Sequence, residues 1–240
     1  MGIFINGKMF NGSKITIING RIISGGNMNC EESKKIDEQK STKANNISQI
    51  HVNSDFANII LTPNNSDSES VDAHLSGNIT TDGNTEFEVN TSGNEIQISA
   101  KLTGNYMNGD LTLNIAIPAK MFDKITVINE DGNITLDKGI NSKTLVLKTQ
   151  NGNVHSSALF ESINAKSMNG NVKLCVNANS DIKLNASTLN GNARVELHNI
   201  SQCNLSASTD NGIVKNRFTA SKGYVVNGKV SSMNGDVKIT

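Results

Sequence analysis

The chain has 240 residues, enough to bury a real core as one large domain or two small ones. Lys+Arg 22 against Asp+Glu 22 leaves no net charge, so long-range steering toward nucleic acid or an anionic membrane is not expected. Trp is absent and aromatics total 4%, so stacking platforms for bases or sugar rings are scarce, while Asn reaches 37 residues and Gly 20.

In chain order, residues 1–26 read as an N-terminal β arm of two or three short strands, broken at Asn6-Gly7, Asn11-Gly12 and Asn19-Gly20. The opening residues lack a basic segment followed by an apolar one, so no secretory signal is expected. No run approaches the ~18 continuous apolar residues of a membrane-spanning helix. The stretch Gly7–Lys14 imitates a phosphate loop, but its Ser-Lys order is reversed and no helical pattern follows. Residues 27–46 are charged and poor in large apolar groups, which predicts a polar linker. Cys30, Cys175 and Cys203 are an odd number without CxxC spacing. They fit a reduced compartment, a cytoplasmic location and no metal or cofactor.

From residue 47 onward short strands alternate with polar turns, and a repeat emerges at the Gly positions 132, 152, 170, 191, 212 and 235. Seven residues before each Gly stand Ile125, Leu145, Ile163, Leu184, Leu205 and Gly228, and five before it Val127, Leu147, Ala165, Ala186, Ala207 and Val230. Beyond the Gly come Ile134, Val154, Val172, Ala193, Val214 and Val237. Period-two alternation on both sides of a Gly means a strand, a bend and a second strand. Such short units bury their apolar face only by stacking, so the expected fold is all-β: a single-stranded parallel β-helix (β-solenoid) over residues 47–240. Asn-Gly is also the usual hairpin turn, and an antiparallel meander is the competing reading.

Two polar columns have inward parity. Three before the Gly lie Asn129, Thr149, Ser167, Thr188, Thr209 and Ser232. Immediately before it lie Asp131, Asn151, Asn169, Asn190, Asn211 and Asn234, whose amides are expected to form a hydrogen-bonded ladder at the coil corners.

The phrases ANIILTP and LTLNIAIP, followed by repeated NGNV-like units, resemble the bacterial putative-adhesin domains, a β-strand-repeat family of unknown function. The resemblance covers Asn46 to Thr240. It implies a β-helix without catalytic residues, and relatives with export signals or anchors imply association with the cell envelope.

The outward column three after each Gly reads Thr135, His155, Lys173, Arg194, Lys215 and Lys238. Stacked, these side chains make a basic stripe, a candidate site for an anionic polymer; the plain alternative is solvent-facing charge that guards the sheet against aggregation. Met168, Leu189 and Met233 form a second outward column, interrupted by Glu130, Gln150 and Asp210.

An enzyme reading, a polysaccharide lyase or hydrolase, needs paired carboxylates roughly 5–9.5 Å apart. Asp137 and Glu196 share a column but stand three units apart, roughly 14 Å. The reading from sequence is therefore a non-enzymatic scaffold or binding module. The terminal unit MNGDVKIT ends within a strand, so an open coil end is expected there, covered by the N-terminal arm, a second copy or another protein.

Overall fold

The computed structural model describes residues 2–5, 8–11, 15–18, 21–24, 33–64, 68–104 and 106–240. Strands dominate the described residues and no helix occurs among them, so the fold is all-β. Residues 2–24 supply two antiparallel pairs, β1 (Gly2–Ile5) with β2 (Lys8–Asn11) and β3 (Ile15–Ile18) with β4 (Arg21–Ser24). The turns expected at Asn6-Gly7 and Asn19-Gly20, Gly12, Cys30 and the first residues of the expected linker lie outside the described residues.

The stretch expected to be a linker instead contains an eleven-residue strand, β5 (Ser33–Lys43). Next come β6 (Gln49–Ser54), β7 (Asn58–Pro63), β8 (Ser70–Thr81), β9 (Asn84–Ser92), β10 (Glu95–Thr103), β11 (Tyr106–Gly109) and β12 (Thr112–Ile117). The repeat proper supplies β13 (Met121–Asp131), β14 (Ile134–Leu136), β15 (Asn141–Asn151), β16 (Val154–Ser156), β17 (Leu159–Asn169) and β18 (Val172–Asn177). It closes with β19 (Ile182–Asn190), β20 (Ala193–His198), β21 (Ile200–Asn211), β22 (Val214–Asn216), β23 (Tyr224–Asn234) and β24 (Val237–Ile239).

Each repeat is a rung: a long strand in sheet I, a corner at the Asn-Gly pair, and a shorter strand in sheet II. Sheet I runs β9-β10-β6-β13-β15-β17-β19-β23-β21, and sheet II runs β11-β8-β12-β7-β14-β16-β18-β20-β24-β22. The strands flanking a corner belong to different sheets, so the Asn-Gly pairs of the repeat are corners and not hairpin turns.

The columns read from the sequence are real rows. In sheet I, Ile50 meets Ile125, then Leu145, Ile163 and Leu184 in register. In sheet II, Leu113, Ile59, Ile134, Val154, Val172, Ala193 and Val237 do the same. All these side chains are almost completely buried, and each Ile or Leu so buried stabilises the fold by about 1.5–3 kcal/mol.

Two features depart from a uniform parallel coil. The sheets are mixed: β9 pairs antiparallel with β10, and β8 pairs antiparallel with β12, β11 and β5. These strands cover the first end of the stack. The charged β5 is an edge strand, and such a strand needs little core. It pairs along its whole length with β8, and its Lys40 ammonium lies 5.4 Å from the Phe87 ring centroid.

The second departure is rung order. At the first end β6 lies between β10 and β13, although β10 follows it in the chain. At the far end β23 lies between β19 and β21, and β24 between β20 and β22. The expectation that MNGDVKIT forms the open end is therefore corrected, since its strands are paired on both sides. The open end belongs to β21 and β22, where Ile213 is 56% and Val214 42% exposed.

Gly228 belongs to this inserted rung. Its φ is +143°, and a Cβ there would stand 1.9 Å from the Leu184 carbonyl oxygen. A side chain is excluded by the close approach of the two backbones.

Candidate functional site

Three rows of side-chain hydrogen bonds lock the corners and hold the outward rows in line. In the buried row, Asn129 Nδ2 donates to the Ala57 carbonyl at 2.8 Å and Thr149 Oγ1 to Gly132 at 3.0 Å. Ser167, Thr188, Ser232 and Thr209 hydroxyls donate likewise to the carbonyls of Gly152, Gly170, Gly191 and Gly235. The corner Gly is required by the same stacking: a Cβ on Gly170 would lie 2.1 Å from the Gly152 oxygen.

The predicted Asn column forms a second row. Asn151 Nδ2 donates to Asp131 Oδ1 at 2.6 Å, Asn169 to Asn151, Asn190 to Asn169 and Asn234 to Asn190 at 2.8 Å each, and Asn211 to Asn234 at 2.9 Å. These residues have inward parity in the alternation, yet all five Asn are exposed, because the chain turns there. Asn234 stands before Asn211, following the rung order.

A third row escapes the sequence reading. The side-chain oxygens of Asn58, Asn133, Asn153, Asn171, Asn192 and Asp236 each accept the backbone N–H of the next rung at 2.7–3.0 Å. Its signal was the Asn after Gly at positions 133, 153, 171 and 192.

On the outer face of sheet II the basic column is brought together in the order Thr135, His155, Lys173, Arg194, Lys238, Lys215. Its members are not equivalent. Burial, then the neighbouring Lys173 charge, lowers the His155 pKa below the usual histidine value, so this ring is neutral near pH 7.

Glu196 competes for the middle of the row. Its Oε1 lies 2.8 Å from Arg194 Nη2 and 3.7 Å from Lys173 Nζ, while its Oε2 accepts from Cys175 Sγ at 3.3 Å. Burial raises the Glu196 pKa, but the Cys175 hydrogen bond and the Lys173 and Arg194 charges outweigh it, and the net shift is downward. Burial and the Glu196 carboxylate push the Cys175 thiol upward, so it stays protonated as a donor.

The last rungs differ. Among the described residues no carboxylate lies within ion-pair distance of Lys238, Lys215 or Arg217. With Arg194, Asn192 and Asp236 they line an open groove of about 290 Å³ at the β22 end. Arg217 follows β22 directly and was not singled out from sequence, because its unit lacks the alternation seen elsewhere. Met168, Leu189 and Met233 stand in one row on the opposite sheet, with both Met side chains exposed.

No group of three or more His, Cys, Asp or Glu side chains among the described residues is arranged to hold a metal ion. No helix of the described residues is long and apolar enough to cross a membrane.

A structure described as a putative cell adhesion protein from Clostridium sporogenes superposes with a TM-score of 0.50 at 16% identity, covering 86% of this chain and 99% of that one. A putative adhesin from Bacteroides fragilis gives 0.42 at 13% identity, covering 86% and 98%. No curated protein matches the chain. The family model described as Toastrack DUF4097 matches residues 47–240, spanning every rung of the stack. The chain belongs to the Toastrack DUF4097 family.

Proposed function

We propose that the chain is a non-enzymatic binding module of adhesin type, acting on a polymer or protein of the bacterial cell envelope. The observation that carries this reading is the lateral registration of like side chains. Corner bonds of 2.6–3.0 Å hold successive rungs in place, so outward groups recur at the ~4.8 Å strand spacing from rung to rung. Such a surface is pre-organised for an extended partner, and pre-organisation lowers the entropic cost of binding. The binding unit in this reading is the solenoid of residues 47–240, with the arm of residues 1–26 a separate element. The description of the Clostridium sporogenes protein as a putative cell adhesion protein agrees with it.

The test is to array purified envelope polysaccharides, incubate them with the full chain, and measure retained protein together with unsaturated and reducing-end products. Saturable retention without product is expected. Product that accumulates over many turnovers would establish a lyase or hydrolase and overturn the reading.

A further inference from the structure

We infer that the β22 end of sheet II binds a linear anionic polysaccharide, with its acidic groups laid along the row Arg194–Lys238–Lys215. The inference rests on the binding-module reading and names its ligand class.

Rung interleaving creates the row. Arg194 pairs in register with Lys238, and Lys238 with Lys215, so three cations separated in sequence occupy three consecutive rungs. At the strand spacing they span ~10 Å. Arg217 adds a fourth cation to the same groove.

The local charge is unbalanced. Among the described residues, Lys173, Arg194, Lys215, Arg217 and Lys238 share these rungs with Glu196 and Asp236, five positive groups against two negative. Asp236 is itself committed, its Oδ1 accepting the Ile213 N–H at 2.9 Å. Among the described residues, Arg194 alone of the row has an ion-pair partner. A balanced whole chain thus carries a concentrated cationic end.

A row of evenly spaced cations suits a repeating anion better than a single one, because each further acidic group on the chain finds its own partner. Asn192 supplies a neutral group beside the row. Its Oδ1 accepts the Asp236 N–H, and its amide lines the groove as a neutral hydrogen-bonding group suited to the hydroxyl groups of a sugar. Single-stranded nucleic acid is the weaker match, since its binding sites stack bases on aromatic rings and no aromatic residue lines this groove.

The test uses the full chain and polygalacturonate of many units, titrated by calorimetry at low and at physiological salt. Galacturonic acid monomer, single-stranded DNA and phosphatidylserine vesicles are the comparison arms. Binding to the polymer, weakened by salt and absent for the monomer, is expected. The triple variant Arg194→Ala, Lys215→Ala, Lys238→Ala should bind about tenfold more weakly, the middle of what three exposed ion pairs are worth. Glu196→Gln should bind a few-fold more tightly, because Arg194 and Lys173 lose their internal competitor. Lys148→Ala, Lys166→Ala, Lys229→Ala removes equal charge from the exposed face of sheet I and should leave binding unchanged.

Equal weakening by the two triple variants, tighter binding to DNA or vesicles, or no binding to polygalacturonate would each overturn the inference. If the groove variant is still retained on the envelope polysaccharides like the parent chain, the inference fails and the module reading stands. If neither protein is retained on any of them, the module reading fails as well.

Discussion

Replacing Thr188 with Val tests whether the buried hydroxyl row holds the rungs together. Thr188 is 5% exposed, and its Oγ1 donates to the Gly170 carbonyl at 2.6 Å. Valine keeps the β-branched shape and fills the same volume, so the change removes a donor and little else. The Gly170 oxygen is then left facing a methyl group, and an unsatisfied buried acceptor costs about 1–3 kcal/mol. For a domain of this size 1 kcal/mol lowers the melting temperature by roughly 2–4 °C, so a fall of about 4–8 °C is expected for a cost near 2 kcal/mol.

The same exchange at Thr209 provides the internal comparison. Thr209 Oγ1 donates to the Gly235 carbonyl at 2.8 Å, but it lies half-buried in the end strand β21, where water can replace the lost donor. Its cost should stay below about 1 kcal/mol. Thermal unfolding followed by circular dichroism, with urea titrations as a second measure, compares the two variants. Equal effects at the two sites, or a Thr188→Val protein as stable as the parent, would refute the assignment of stability to the corner bonds.

Gly191→Ala should be more damaging than either, because φ is +153° and the new Cβ would stand 2.3 Å from the Gly170 oxygen. A loss above about 3 kcal/mol, or insoluble protein, is expected from expression and melting measurements. Glu196 gives a pH dependence with a defined sign. Its pKa is depressed below the ordinary 4.5, so its contribution is complete above that value and disappears as pH falls through the lower folded value. Melting temperatures of the parent and Glu196→Gln, compared from neutral to acid pH, should converge toward the acid end. Hydrogen exchange should find the amides of β24 well protected although they lie at the end of the sequence, and those of β22 fast. Rapid exchange throughout 237–239 would contradict the order β20-β24-β22.

The rows were legible in the sequence because in-register stacking repeats its demands. Leu145, Ile163 and Leu184 occupy one site in successive rungs, and the corner Gly is fixed by contact with the Gly before it. Adjacency was not legible. Parallel rungs with the same columns stack on one another equally well, so identity within a column says nothing about which rung comes next. Gly228 carried a partial signal, since it breaks a column of large apolar residues where the inserted rung approaches Leu184. Strand β5 was hidden for another reason: an edge strand binds through its backbone, and SKKIDEQKSTK has almost no apolar pattern to reveal that. Within the basic column the sequence supplied the members. It could not show that His155 is held neutral, that Glu196 engages Arg194, or that Arg217 joins the groove.

The interleaving also links the stability of β24 to the chemistry of the site. A β24 on an outer edge would be held on one side only, and Lys238 with it. Placed between β20 and β22, it is paired on both sides, and the exposed rung is one whose chain continues in both directions. The open edge is thereby tethered at both ends, a covalent restraint that offsets the pairing it lacks. The same insertion sets Lys238 between Arg194 and Lys215, so the three-cation row forms only after the final strand has docked. Before β24 docks, the chain carries the same three cations without their alignment. The cationic row is thus a property of the closed fold, which is why an evenly balanced composition can still present a charged face.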